Sequence, residues 1–236
     1  MEVVEDKGPA EAPARTDKPL LEAGLVFAAF WLAAYLPADP SQAGAALGSP
    51  GFHLGLLVQL LPKALFLLYL MSRAEGLAAF GLRPLRAADL AKAAAAAGAL
   101  LAIAFLPGLA SSLFGASPAN PLLAAAGRPE ASPFLVVPLL AASALAVGYG
   151  EELFFRAYLM RRLGQAGLPL FWAGLASALL FGSAHGLQGL LGLLVASALG
   201  GFLAWRWAEG RNIHEIALGH ALYDLVVMAA ALYGSA

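Results

Sequence analysis

Cysteine is absent from the 236 residues, which removes disulfides, thiolate metal sites and a cysteine nucleophile together. Charge is scarce as well: 12% of the residues are Asp, Glu, Lys or Arg, against about 25% in a soluble domain. There is no basic stripe with interleaved aromatics, so nothing points to nucleic acid as a partner. No internal repeat is found either, which leaves an inverted-repeat transporter without direct support. What remains is apolar: 61% of the residues are hydrophobic, and the mean hydropathy is +0.76. The fold class expected is all-α, a polytopic transmembrane helical bundle. The bias to Ala, Leu and Gly suggests a GC-rich bacterial genome, hence the bacterial cytoplasmic membrane.

Residues 1–19 mix Glu2, Glu5, Asp6, Lys7, Glu11, Arg15, Asp17 and Lys18 with Pro9, Pro13 and Pro19. Such a segment buries too little apolar surface to fold and reads as a disordered cytoplasmic tail. Its acidic start does not match a signal peptide. Spanning the hydrocarbon takes about 20 apolar residues as helix. Seven stretches qualify: 20–36, 52–72, 88–107, 133–160, 168–186, 189–207 and 213–233. Every alternate loop is basic, through Arg73, Arg83 and Arg86, then Arg161 and Arg162, then Arg206 and Arg211. The other loops hold only Arg128. The positive-inside rule therefore puts the N-terminus in the cytoplasm and the C-terminus outside. We divide the chain into the tail (1–19), N-terminal spans (20–130) and a membrane core (131–236).

Three patterns in that core place ionisable groups in otherwise lipid-soluble stretches: Glu151-Glu152-x-x-x-Arg156, Phe181-x-x-x-His185 and His220-x-x-x-Asp224. A charge at membrane depth costs several kcal/mol, roughly 2.5 to 17 depending on the reference state. Such groups persist where they pair, line a wet cavity or do chemistry. Glu152 and Arg156 share a helix face and suit a structural ion pair. Glu151 points about 100° away and has Val147 and Phe155, not cations, at its i±4 positions, which makes it the better general base. His185 is flanked by Gly182, Ser183, Ala184 and Gly186, residues small enough to clear space around an imidazole. His220 and Asp224 also share a face, so Asp224 can hold the imidazole tautomer or join it on one ligand.

Two mechanisms fit. In one, His185, His220 and Glu151 or Asp224 hold a divalent metal such as zinc, whose water is the nucleophile. In the other, Glu151 with His185 activates water directly, while His220 and Asp224 stabilise the oxyanion. Lys63, after Pro62 in the second span, reads as a structural partner in the bundle interior. His53 and His214 read as surface residues. Straight spans would put Glu151 about 27 Å along the fourth and His185 about 25 Å in from the opposite face. A long tilted fourth helix, a break at Gly148-Tyr149-Gly150 or a short fifth helix would bring them level.

The ordered set EExxxR, FxxxH and HxxxD resembles the CAAX-prenyl-protease and bacteriocin-processing (CPBP) family. Its members include type II CAAX prenyl endopeptidases and bacterial Abi-type intramembrane proteases. The resemblance covers roughly 131–234, with a further likeness in the turn Phe80-Gly81-Leu82-Arg83. It is carried by Glu151, Glu152, Arg156, His185 and His220; position 224 is Asp where prenyl endopeptidases usually have Asn. The resemblance implies an intramembrane peptidase cutting membrane-associated peptides or proteins. Family members have been described both as metalloproteases and as glutamate-dependent enzymes. The rival readings are a non-catalytic immunity or partner-binding protein of the same fold, and a small ion-coupled transporter using the same polar groups as a relay.

Overall fold

The computed structural model describes residues 18–113, 120–129 and 131–234. Most of the tail expected over 1–19, and part of the turn after the third span, lie outside them. Every regular element among the described residues is a helix, with no strand among them. Helix starts follow from local chemistry. Pro19, Pro40, Pro50 and Pro133 open α1 (Pro19–Trp31), α2 (Pro40–Ala46), α3 (Pro50–Ala74) and α6 (Pro133–Glu152), where a missing N–H costs nothing. The side chains of Asp39, Ser49 and Ser132 accept hydrogen bonds from the first free amides of α2, α3 and α6. Asn212 does the same for α10 (Ile213–Tyr233). Between these lie α4 (Ala87–Leu113) and the short α5 (Pro121–Ala124). After α6 come α7 (Met160–Gln165), α8 (Leu170–Ser183) and α9 (Gly189–Gly210).

Five helices are long and apolar enough to cross a membrane: Pro50–Ala74, Ala87–Pro107, Pro133–Gln165, Gly186–Gly210 and Ile213–Tyr233. A sixth is made if Pro19–Tyr35 and Pro40–Ala46, bent by 98°, count as one span. The protein is thus a multi-pass membrane bundle, with fewer full spans than the seven expected. Composition windows do not register the bend around Pro37 and Pro40, nor the end of α8 at Ser183, two residues before His185. Large side chains such as Phe134, Val58, Phe171 and Leu190 stand fully outward, as a lipid-facing surface requires.

The fourth span settles the depth problem. α6 runs on through a π-helical stretch, Leu153–Leu159, into α7 as one 33-residue helix, unbroken at Gly148-Tyr149-Gly150. At 1.5 Å per residue it is about 50 Å long, far more than the roughly 30 Å hydrocarbon core. α8, by contrast, has 14 residues and ends about 21 Å from its start. The long helix and the short one together bring Glu151 and His185 toward the same level.

α10 packs against both α4 and α6, α8 against α9, and α3 against α6. Small residues set these approaches. A Cβ on Gly148 would lie 2.5 Å from the carbonyl oxygen of Ala217, so only glycine lets α6 come this close to α10. On α10, Gly219 abuts Ala96 and the carbonyl of Ala93, so small residues on both helices permit the close α4–α10 approach. The aromatic core joins α1 to the π-helical stretch, with Trp31 stacked on Phe154 at 4.2 Å.

The basic loops meet at one end of the bundle. Glu75 pairs with Arg161 and Arg162, and Glu22 at the start of α1 pairs with Arg162. The amide of Ile213 donates to the carbonyl of Gly81, and Asn212 donates to Asp89 at 2.7 Å. At the other end Leu47, Leu140 and Leu232 cluster near α5. The two ends of the described chain therefore lie at opposite ends of the bundle.

Two histidines assigned to the surface are not there. His53 is fully buried, between the Ser143 hydroxyl at 2.9 Å and the Leu47 carbonyl at 2.9 Å. His214 is half-buried, with Nε2 donating to the carbonyl of Arg83 at 2.7 Å and Nδ1 accepting from the Tyr149 hydroxyl at 2.8 Å. Each sits near a predicted span end but is covered by a neighbouring helix, which chain position alone cannot reveal.

Candidate active site

Glu152 and Arg156 are fully buried on the wall of α6 and the π-helical stretch. Glu152 Oε1 accepts from Arg156 Nη1 at 3.0 Å and from His220 Nδ1 at 2.9 Å. Arg156 Nη2 donates to the carbonyl of Gly200 on α9 at 3.2 Å, and its guanidinium lies 4.4 Å from the centre of the Phe181 ring. The pair expected from spacing is present, but it does more than balance charge: it ties α6 to both α10 and α9. The Gly200 carbonyl carried no signal in the sequence, because a backbone acceptor can belong to any residue.

Because an ionised carboxylate only accepts, Nδ1 of His220 carries the proton in its bond to Glu152. Nε2 is then the atom available for chemistry. It stands 3.6 Å from Asp224 Oδ2 and 3.9 Å from Glu151 Oε2. The tautomer-holding role considered for Asp224 therefore falls to Glu152, and Asp224 flanks the working nitrogen instead. Glu151 Oε2 is buried and has no hydrogen-bond partner among the described residues. Oε2 of Glu152 is likewise without one.

His185 lies just past the C-terminus of α8. Its Nδ1 donates to the Phe181 carbonyl at 2.7 Å, one of the last carbonyls left open by the helix end. That again leaves Nε2 as the free nitrogen. Phe181 connects the three motifs, with ring centres 4.6 Å from His185, 5.8 Å from His220, and the Arg156 guanidinium against its face. Of the small residues beside His185, Gly186 has open space around it, whereas Gly182 serves a different end from the one expected. A Cβ on Gly182 would meet the Ser197 hydroxyl at 1.9 Å and the Leu193 carbonyl at 2.9 Å, so Gly182 seats α8 against α9 rather than opening a cavity.

The π-helical stretch lies between Glu152 and α7, and such windings expose carbonyls and recur at functional sites. Ser177 on α8 donates to one of them, Phe155 O, at 2.7 Å. Lys63 is held outside the cluster, its Nζ donating to the carbonyl of Phe30 at 2.8 Å where α1 gives way to a turn of 3-10 helix. Its charge still attracts Glu151.

Glu151, Glu152, Arg156, His220 and Asp224 thus form one polar cluster, with His185 joined to it through Phe181. Residues 133–226, which hold all six, match the family model of the Rce1-like type II CAAX prenyl endopeptidases. Over that segment the chain is similar to that family. No curated protein and no solved structure matches the chain. The Rce1-like family is one of proteases, and the stretch similar to it begins at the first residue of α6 and ends within α10.

Among the described residues, no three His, Asp or Glu side chains come together as a ligand set. His220 has Nδ1 committed to Glu152, and the flanking oxygens of Glu151 and Asp224 stand 3.9 and 3.6 Å from Nε2. His185, His220 and Glu151 are not drawn together as a ligand group among the described residues.

Proposed function

We propose that the chain is an intramembrane endopeptidase in which Glu151 activates water against a peptide bond of a membrane-associated substrate. The observation that carries this reading is the unpartnered, buried Oε2 of Glu151 facing His220 Nε2 across 3.9 Å. A water about 2.8 Å from each atom would complete a triangle on that base, within hydrogen-bond reach of both. Glu151 takes the proton of this water as it attacks the carbonyl carbon, and later delivers it to the departing amine. With Nδ1 anchored on Glu152, imidazolium His220 directs Nε2–H at the oxyanion, and Asp224 supports the positive ring. His185 supplies a second free nitrogen from the end of α8. Glu152 and Arg156 act as positioning residues, since their polar atoms bind His220 and the Gly200 carbonyl.

The setting proposed is the bacterial cytoplasmic membrane, with the basic end of the bundle in the cytoplasm. The gathering of Arg83, Arg161, Arg162 and Arg211 around one end supports that orientation. The test is a comparison of new peptide termini in membranes of cells producing equal amounts of the wild-type chain or Glu151→Gln. Termini seen only with the wild type support the peptidase and name its substrates. Identical termini with both proteins inserted and folded overturn it in favour of the non-catalytic, partner-binding reading.

A further inference from the structure

Away from the polar cluster, at the basic end, a cavity of about 280 Å³ lies between Arg161 and Arg211, with Gln165 and Glu75 in its wall. Its charges do not balance. Glu75 takes hydrogen bonds from Arg161, and Arg162 is met by Glu22 at 2.9 Å and by Glu75 at 3.6 Å. Two acids thus serve two arginines. Arg211 is the third, and among the described residues no acid pairs with it; its guanidinium lies 4.1 Å from the centre of the Trp207 ring. Partial burial, and then repulsion from Arg161, lower the pKa of Arg211. The start of α8 borders the same space through Leu170 and Ala173, and no side chain caps its first amides. Two guanidiniums and open helix amides form a site for a phosphate-sized anion.

The cavity is not isolated. Met160 and Leu170 line it and also line an apolar groove of about 600 Å³ between α8 and α9. Gly174 and Ala178 on one side and Ala198 and Gly201 on the other keep the groove open, and Trp205 walls it. Phe171 and Trp205 are largely exposed along it, on the lipid-facing surface. A cationic pocket at one end of the bundle that runs into an apolar groove complements the polarity of one anionic phospholipid molecule.

We propose that the Arg161–Arg211 cavity and the α8–α9 groove form one binding site for an anionic phospholipid, its phosphate on the two guanidiniums and an acyl chain in the groove. The inner part of the groove is lined by Ala178, whose backbone packs beside Gly200 and Phe181. A bound chain would therefore brace the α8–α9 contact that holds Arg156. Charge complementarity selects the occupant: a zwitterionic lipid brings an ammonium group into a pocket with a surplus cation, whereas phosphatidylglycerol neutralises it.

The experiment is lipid binding by the full-length chain in detergent, measured by native mass spectrometry and by thermal shift, with dioleoyl phosphatidylglycerol and dioleoyl phosphatidylcholine as probes. Phosphatidylglycerol should bind at least tenfold more tightly and raise the melting temperature. Arg211→Asn, which removes the guanidinium while tolerating the left-handed backbone at φ 46°, should abolish that preference. Gly201→Leu fills the groove where the glycine has open space around it. It should weaken the long-chain lipid while sparing a short-chain dihexanoyl analogue. Equal binding of both headgroups, or a preference unchanged in Arg211→Asn, overturns the proposal. So does displacement of the lipid by millimolar inorganic phosphate, which would mark a free-phosphate site. None of these readouts depends on peptide cleavage, so failure here leaves the peptidase reading untouched, and the reverse holds as well.

Discussion

Glu152 Oε1 accepts two hydrogen bonds at once, from Arg156 on its own helix at 3.0 Å and from His220 on α10 at 2.9 Å. One oxygen therefore joins the structural ion pair to the imidazole and fixes which ring nitrogen faces Glu151. Glu152→Ala should leave Arg156 as a buried charge without its acid and cost about 3–5 kcal/mol of stability. Thermal unfolding in detergent measures this. A melting temperature equal to that of the wild type would show that the bond carries no stability.

Glu151→Gln should behave in the opposite way. Its Oε2 makes no hydrogen bond and stands 3.9 Å from His220 Nε2, so the variant should fold and insert like the wild type while cleavage falls by about 10²- to 10⁴-fold, the range for loss of a general base. Turnover of a membrane-embedded peptide substrate, normalised to folded protein, provides the check. Loss of folding together with activity would assign Glu151 a structural role.

Asp224→Asn places an amide where a carboxylate oxygen stands 3.6 Å from His220 Nε2. If Asp224 only flanks the imidazole, with Glu152 holding the tautomer, activity should stay within about tenfold of the wild type. A collapse as large as that of Glu151→Gln would place Asp224 in direct contact with the reacting atoms.

Without three ligands converging on one point, cleavage should persist after prolonged dialysis against EDTA. Activity lost to the chelator and restored by zinc would instead show that the substrate-bound site rearranges around a metal.

Glu75 provides a pH test at the basic end, outside the spans. Hydrogen bonds from Arg161 hold its carboxyl below the usual carboxylate range, against the opposing effect of burial. A depressed folded-state pKa means that the stabilisation is complete above the unfolded value of about 4.3 and disappears as pH falls through the folded value. The stability difference between the wild type and Glu75→Gln should therefore be constant near neutrality and shrink only below about pH 4. A difference that changes between pH 6 and 8 would point to another titrating group.

The helical membrane character, the three motifs and the basic loops were legible in the sequence because each rests on local chemistry. Apolar runs dictate burial in lipid, capping residues start helices, and i,i+4 spacing puts Glu152 with Arg156 and His220 with Asp224 on shared faces. Tertiary structure decided what those faces meet. That Glu152 rather than Asp224 holds His220 follows from the approach of α6 to α10, which the absence of a side chain at Gly148 permits. That His185 can approach the cluster follows from where α8 stops and from an α6–α7 helix longer than the membrane is thick. His53 and His214 are covered by helices distant in the chain, and the surplus charge of Arg211 emerges only once Glu22 and Glu75 have found Arg161 and Arg162. Spacing along a chain specifies which side chains share a face. Contact between faces depends on helix length, bend and close approach, which are set by packing across the whole bundle.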